Sequence, residues 1–444
     1  MFLSSSSCEP STRRLLSVAL GIALVLRLAA LFFFGDLSST AVLWEYGDTG
    51  RCAWQHGGQL CSYYLSGGAY YPSAYMPPLL SYFWLGLFEL FGDGPVARAI
   101  WLGANLAAAL GCVALTYYLS LKLISSRWVA FVAATLMAVY PTFVYVTAEY
   151  HQTNWAVLLL LGVVAIAVKL ADGSNPWLYG AIGGILCGIS ALNRSEMIIV
   201  GPILIALGAF WNRDWRRVLT IGLTAAVTLA GVIAPWTVRN YEMFGRIIPV
   251  AQSQGYNLWK GYNPYTNGSG NLSEEGDGLA ARERIRATVA HGPLYETRLQ
   301  EAYSEEFRHD LHQSSPGRLV RLTLNKVALL WAFDWTDRDV THRSAYLIPW
   351  IATNLLAFFG FFFLWRWRRW VAPAQVVIYA NALFFLTAAY ALTAVHARYR
   401  MHIEPFIFIL AAVGLVGLWA KIRVLQRRTG EDVDGELQIA NSQE

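Results

Sequence analysis

Charged residues are scarce in this chain of 444 residues: Asp, Glu, Lys and Arg together make up 14% of it, whereas soluble proteins carry about 25%. A soluble chain of this length would form about three domains, and so few charges would not cover their surfaces. Hydrophobic residues make up 56%, and the mean hydropathy is +0.39. The scarcity of charge therefore excludes a soluble multidomain protein.

Cysteines and the common catalytic motifs are also sparse. Five cysteines are too few for a disulfide scaffold. Cys112 and Cys187 lie in apolar runs as small hydrophobic residues, whereas Cys52 and Cys61 share one polar loop and are either a disulfide or two free thiols. The sequence contains no HExxH, no paired CxxC, no P-loop and no nucleophile elbow. These absences exclude the enzyme classes that those motifs mark.

Long apolar runs fill most of the chain, and the longer ones have about 18 to 24 residues, the length at which a helix crosses a bilayer. The aromatic content of 14%, with 18 Trp, is typical of a chain that meets the membrane interface many times. We therefore predict an all-α polytopic membrane protein with about ten transmembrane helices. The predicted spans are residues 15–34, 96–119, 128–146, 155–169, 177–192, 197–211, 218–236, 345–365, 372–393 and 403–420.

The basic residues predict how these spans are oriented, since Lys and Arg cluster in alternate short loops. This pattern places both termini in the cytoplasm of a multi-pass protein of the plasma or inner membrane. The outer segments are then residues 35–94 and 237–344. The first contains an apolar stretch of about 15 residues, too short to cross, which predicts a juxtamembrane helix. The charge pattern of the second predicts a mostly helical extracytoplasmic segment.

Four regions follow from these patterns. Residues 1–236 form an N-terminal transmembrane module with a catalytic first outer loop at 35–94, and residues 237–344 form an extracytoplasmic loop region. Residues 345–425 form C-terminal transmembrane helices, and residues 426–444 a disordered cytoplasmic tail. The net charge is +5, and the basic residues lie in the alternate loops that orient the spans rather than in one patch. We therefore expect no nucleic-acid partner.

Three acidic residues on the outer side are candidates for acid–base chemistry. Glu45 and Asp48 follow the first span, and a carboxylate at a membrane-edge cleft can act as general base on a hydroxyl. The structural alternative is that Asp48 caps a short helix and pairs with Arg51. Glu149, beside His151, is either a second acidic or metal-binding group or part of a solvated hairpin tip.

Basic residues at outer helix ends are the second signal, because the positive-inside trend predicts few there. A guanidinium donates two parallel hydrogen bonds to phosphate, so these residues suit an anionic lipid or substrate. The alternative is that they snorkel and anchor helices. Arg27, inside the first span, needs a partner because a charge there costs a few kcal/mol. The outer set is Arg194, Arg239, His396, Arg398 and Arg400.

Four pieces of sequence carry a family resemblance. They are DT at residues 48–49, MPPLL at 76–80, APWTVRNY at 234–241 and RYRMHIEP at 398–405. In order and spacing the chain resembles the GT-C superfamily of polyprenyl-phosphate-sugar-dependent glycosyltransferases, and most closely glycosyltransferase family 39, the protein mannosyltransferase and aminoarabinose transferase group. Two positions depart from that family: Cys52 stands where relatives carry Tyr, and Gln152 where they carry a second acid.

The resemblance implies a GT-C fold and a reaction on the outer side of the membrane. A sugar would move from a polyprenyl-phosphate donor to an acceptor protein, lipid or glycan. Asp48 would be the general base, with Glu45 and Glu149 as further acidic groups. Arg398 and Arg400, with Arg194 or Arg239 and with His396, would bind the donor phosphate. A divalent metal would fit such a reaction, but the sequence does not support one, because Gln152 replaces the second acid.

Two other readings of the same residues remain open at this point. A transporter or flippase of a lipid-linked intermediate would use the same anion-binding arginines, but it would place polar groups along a path through the membrane. A catalytically silent relative would act as an assembly partner. The concentration of polar residues in the loops favours the enzyme.

Overall fold

The computed structural model describes residues 11–61, 70–270, 276–332 and 344–441, with side chains described up to residue 423. Within these residues the chain consists of helices, three short 3-10 turns and isolated bridges, without a named strand. The predicted all-α fold is confirmed. The helices are α1 Thr12–Phe34, α2 Trp44–Gln55, α3 Leu79–Phe91, α4 Pro95–Leu123, α5 Arg127–Val139, α6 Pro141–Tyr145, α7 Thr153–Ala171, α8 Pro176–Asn193, α9 Met197–Phe210, α10 Trp215–Phe244, α11 Gln254–Tyr262, α12 Gly276–Ala287, α13 Tyr295–Gln313, α14 Pro316–Trp331, α15 Ser344–Arg366, α16 Pro373–Ala391 and α17 Glu404–Asn441.

Seven helices of the described chain are long and apolar enough to cross a membrane: α1, α4, α7, α10, α15, α16 and the first 20 residues of α17. Helix α5 and the segment Pro141–Ala148 form an eighth candidate, bent by 57°. The predicted count of about ten is therefore too high. Helix α9 has 14 residues and is about 21 Å long, short of a core of about 30 Å. Helix α8 carries four glycines, which lower its hydropathy.

The glycines of α8 serve its packing against α10. A Cβ on Gly184 would lie 2.1 Å from the Ala225 carbonyl oxygen, and one on Gly180 would lie 2.1 Å from Thr224 Oγ1. Thr228 Oγ1 also donates to the Ala181 carbonyl across this contact, at 3.1 Å. Small residues let the two backbones approach closely, as in other membrane helix pairs. This contact fixes α8, whose C-terminal end carries Arg194.

Arg27 is fully buried in α1 and uses the break between α5 and α6. Its Nη1 donates to the Ala138 carbonyl at 2.8 Å, and its Nη2 donates to the Met137 carbonyl at 3.1 Å. Pro141 has no N–H to satisfy the carbonyl four residues before it, so the end of α5 has unused acceptors. The partners of this cation are therefore backbone carbonyl groups.

The segment between α1 and α4, predicted as the first outer loop, contains α2 and the predicted juxtamembrane helix, which is α3. Cys52, on α2, forms a disulfide with Cys61, with the two Cα atoms 5.9 Å apart. Of the two options that the sequence left open, the structure has the disulfide, and Cys112 and Cys187 are buried free thiols. The disulfide attaches the end of α2 to Cys61, which forms an isolated bridge with Pro72.

Helices α11 to α14 form the described part of the segment predicted as the second outer one, and that part is mostly helical. Helix α10 continues to Phe244, past the boundary predicted at residue 236, and the division into four regions stays a prediction. The tail predicted at 426–444 overlaps the helical backbone of α17 as far as Asn441, and residues 442–444 lie outside the described chain.

Candidate active site

Helix α2 carries the predicted base and is fixed at its first residue. Trp44 has a φ of 57°, a left-handed conformation that is unfavourable for a bulky side chain. Its ring makes an edge contact with the His151 ring, with centroids 5.4 Å apart. The Tyr46 hydroxyl donates to Gln152 Oε1 at 2.7 Å. The start of α2 is thus held against the segment that precedes α7.

Asp48 lies one turn after Trp44 on the same face of α2. Its side chain is 31% exposed, and its Oδ1 is 3.3 Å from Arg51 Nη1. Burial raises the pKa of the Asp48 carboxyl, Arg51 opposes this shift, and Glu45 and Asp93 add to it. A raised pKa strengthens a carboxylate as a base, and general bases work best with a pKa near the working pH.

Three histidines and two arginines meet beside the start of α2. We call this set the Arg–His cluster: His151, Arg194, His396, Arg398 and His402. Burial and the charges of Arg398 and Arg194 lower the pKa of His151 and of His396 well below the usual range. Burial and Arg194 lower the pKa of His402 to about 3. The histidines are therefore neutral near pH 7, and the positive charge belongs to the two arginines.

The two arginines of the cluster differ in their partners. Arg194 Nε donates to Glu196 Oε1 at 2.5 Å, and the Tyr390 hydroxyl donates to the same oxygen at 2.9 Å. Arg398 has no carboxylate partner among the described residues, and its buried Nε has no hydrogen-bond acceptor there. Its guanidinium lies 5.9 Å from the Tyr399 ring centroid. Arg398 is the cation of this cluster that can accept an anionic ligand.

The other two predicted phosphate ligands are already engaged. Arg400 is buried, its Nε donates to Glu404 Oε1 at 3.2 Å, and its Nη1 donates to the Trp331 carbonyl. Arg239 donates to the Ser73 carbonyl at 2.8 Å and to the Leu60 carbonyl at 3.2 Å. Arg400 therefore fastens α17 to the end of α14, and Arg239 holds the segment between α2 and α3.

The two remaining acidic candidates occupy different places. Glu45 precedes Asp48 by three residues on α2 and acts on its pKa. Glu149 ends the 3-10 turn before α7, and its carbonyl accepts from Asn105 Nδ2 at 3.2 Å. Asn105 also bonds to two other carbonyls of that turn. The hairpin tip is thus anchored to α4, and its residues that contact α2 are His151 and Gln152.

Sequence reasoning missed three residues that shape this site: Tyr46, Glu196 and Tyr390. Glu196 follows Arg194 by two residues, and that spacing was a readable signal for an ion pair. Tyr46 and Tyr390 gave none, because their hydroxyl partners lie 106 and 194 residues away. The site residues predicted from sequence stay predictions.

A metal centre gains no support from the described residues. Within them, one group of three His, Cys or acidic side chains has its ligand atoms close together, namely Cys52, His56 and Cys61. The two sulfur atoms are joined in the disulfide, so they are not available as thiolate ligands.

A family model matches part of the chain. The model of glycosyltransferase family 87 matches residues 75–284, just under half of the sequence. That stretch includes α3 to α11, with His151, Arg194 and Arg239, and excludes Asp48 and Arg398. No curated protein matches the chain.

The similarity to solved structures extends over nearly the whole chain, unlike the match to the family model. The archaeal oligosaccharyltransferase AglB from Archaeoglobus fulgidus, in complex with an inhibitory peptide and a dolichol-phosphate, is similar at 15% identity and a TM-score of 0.58. The match covers 95% of this chain and 52% of AglB. The apo form of the Archaeoglobus fulgidus oligosaccharyltransferase gives 14% identity, 96% and 53% coverage and a TM-score of 0.56. ArnT from Cupriavidus metallidurans bound to undecaprenyl phosphate gives 12% identity, 91% and 77% coverage and a TM-score of 0.42. This chain thus spans about half the length of AglB, and at these identities the likeness concerns the fold.

Proposed function

From the premise that this chain is a GT-C superfamily membrane protein, we propose that it transfers a sugar from a polyprenyl-phosphate donor to an acceptor hydroxyl or amine on the extracytoplasmic side. The resemblance in fold to AglB, whose structure holds a dolichol-phosphate, supports a donor of this class. The acceptor would be a protein, a lipid or a glycan.

The observation that carries this proposal is Arg398 of the Arg–His cluster, which has no carboxylate partner among the described residues. The Arg398 side chain is half-buried, with its Nε enclosed. A guanidinium held largely out of water without a carboxylate is costly, and a phosphate would supply the missing charge and acceptor atoms. In this proposal Arg398 binds the donor phosphate. Arg194, already neutralised by Glu196, shapes the cluster through Tyr399, whose ring lies 4.9 Å from its guanidinium.

The reaction then needs a base, for which Asp48 is our choice. It takes the proton of the acceptor group as that group attacks the anomeric carbon. The bond between that carbon and the phosphate oxygen breaks, and its electron pair leaves with the phosphate. Charge grows on the departing oxygen in the transition state, where a positioned cation stabilises it by a few kcal/mol. His402 keeps its proton on Nδ1, which donates to the Tyr399 carbonyl at 3.0 Å, so it holds the turn that carries Arg398.

The first test is Asp48→Asn, measured as loss of label from radiolabelled polyprenyl-phosphate sugars incubated with purified protein. The amide keeps the shape of the side chain but is not a base, so we expect transfer to fall by a factor of about 100 or more. The thermal unfolding midpoint should stay the same. Asp172→Asn is the matched control, because it also breaks an ion pair, with Lys122, and should leave transfer unchanged.

Two outcomes would contradict this assignment. Transfer by Asp48→Asn within a factor of about ten of the unaltered protein would exclude Asp48 as the base. Movement of intact donor across reconstituted vesicles, without release of sugar, would favour the flippase reading.

A further inference from the structure

Four charged groups form a chain from Asp48 into the interior, and the proposed reaction uses only the first. Arg51 Nη1 lies 3.3 Å from Asp48 Oδ1, and Arg51 Nε lies 2.8 Å from Asp93 Oδ2. Arg98 Nη2 donates to Asp93 Oδ1 at 2.6 Å. Carboxylates and guanidiniums alternate, so the four formal charges cancel.

Burial increases along this chain, so its inner end is the fixed one. The side chains are 31% exposed at Asp48, 24% at Arg51, 20% at Asp93 and 0% at Arg98. Arg98 lies in the first turn of α4, and its Nε and Nη1 have no hydrogen-bond partner among the described residues. A buried guanidinium that has one carboxylate partner is strongly destabilised when that carboxylate is removed. Asp93 is therefore held from the interior side.

Arg51 is shared between the carboxylates of Asp48 and Asp93. We propose that Asp93, held by Arg98, is a positioning residue that retains Arg51 and so keeps it from closing on Asp48 as a full ion pair. The inference rests on the proposed role of Asp48 as the base. An Asp48 carboxylate tied by two hydrogen bonds to Arg51 would lose the oxygen that must accept the proton.

The other groups around Asp48 allow a test by pH. On α2 they are Arg51 and Glu45, and from the turn after α3 comes Asp93. The Glu89 side chain of α3 is exposed, and the segment before α7 contributes the neutral His151, against Trp44. The Asp93 charge raises the pKa of Asp48, whereas the Arg51 charge lowers it. Removing the Asp93 charge must therefore lower the pKa of Asp48, and removing the Arg51 charge must raise it.

The test compares the pH profiles of kcat/KM for sugar transfer in Asp93→Asn and Arg51→Gln. Activity requires ionised Asp48, so its acidic limb follows the pKa of that group in the free enzyme. For Asp93→Asn we expect the limb to move to lower pH, by about half a unit or more, with kcat reduced about tenfold and KM for the donor unchanged. For Arg51→Gln we expect the limb to move to higher pH. Asp93→Glu, which keeps the carboxylate, should restore much of kcat.

The controls separate this inference from the function on which it rests. Asp172→Asn should keep the profile of the unaltered protein, since its ion pair with Lys122 is elsewhere. An unchanged limb in folded Asp93→Asn, with Asp48→Asn inactive, would overturn the positioning role and leave the proposed function intact. If Asp93→Asn does not fold, Arg51→Gln decides the question: an unchanged limb, or one at lower pH, overturns the inference. An active Asp48→Asn would instead remove the proposed function itself.

Discussion

Arg27 and Arg398 are two poorly exposed cations in one molecule, and they differ in how their hydrogen bonds are used. Arg27 lies inside a membrane span and donates to carbonyls that the break after α5 leaves without partners. Arg398 lies in the turn before α17, and within the described residues its side chain makes no ion pair and no hydrogen bond, whereas only the Nε of Arg27 lacks an acceptor there. The first cation completes the fold, whereas the second has capacity left for a ligand. Position in the membrane alone does not distinguish these roles; the partners do.

The strongest test of this comparison is Arg398→Gln. Loss of one positioned donor at a developing oxyanion costs about a hundredfold or more in rate, so we expect sugar transfer to fall by that factor. The unfolding midpoint should stay near that of the unaltered protein, because Arg398 makes no ion pair with the residues that the structure describes. Arg369→Gln, at an exposed arginine, is the matched control. Normal transfer by Arg398→Gln would assign the cation to anchoring instead.

Arg27→Met should have the reverse profile. The carbonyls of Met137 and Ala138 would lose their donors within the membrane, at a cost of about 1–3 kcal/mol for each unsatisfied group, partly offset by removal of a buried charge. We expect lower stability, by about 2 kcal/mol, in denaturant unfolding in detergent. Transfer per folded molecule should be unchanged. A specific loss of transfer at full stability would show that Arg27 serves the reaction.

Replacing Cys52 and Cys61 together with Ser tests the loop that carries the base. The disulfide closes a loop across nine positions of sequence, and the loss of chain entropy in the unfolded state corresponds to about 2.6 kcal/mol for a closure of that size. We expect a modest loss of stability and a smaller loss of transfer than in Arg398→Gln, because Trp44 and Tyr46 still hold the start of α2. Urea titration and the transfer assay measure the two effects. Complete loss of transfer with retained stability would place the disulfide in the site itself.

The partners of Arg194, Arg400 and Arg239 show how much of the candidate site can be predicted from sequence. Arg194 and Arg400 have acidic partners two and four residues away, Glu196 and Glu404, and such local pairs can be predicted. The carbonyls that Arg239 binds lie 166 and 179 residues away. A distant backbone carbonyl leaves no mark in the pattern of charges, so sequence alone placed Arg239 with the phosphate ligands.

The number of spans was overestimated for a related reason. Apolar content predicted α8 and α9 as two crossings, yet α9 has 14 residues and α8 is rich in glycine. The glycines are explained by contact with α10, where a Cβ would meet backbone. Hydropathy measures only how apolar a segment is. It does not show which other helix the segment packs against, because that helix lies elsewhere in the chain.

The sequence by itself determined the all-α membrane class, most of the spans, the juxtamembrane helix and the candidate residues, because apolar runs, basic loops and short motifs are local features. Only the tertiary structure decided that Arg398 has no carboxylate partner within the described part of the chain while Arg239 and Arg400 are engaged, and that Arg51 is shared between Asp48 and Asp93. The physical reason is that a charge is defined by its neighbours in space. Those neighbours come from α2, the turn before α4, the end of α8 and the turn before α17, which folding alone brings into contact.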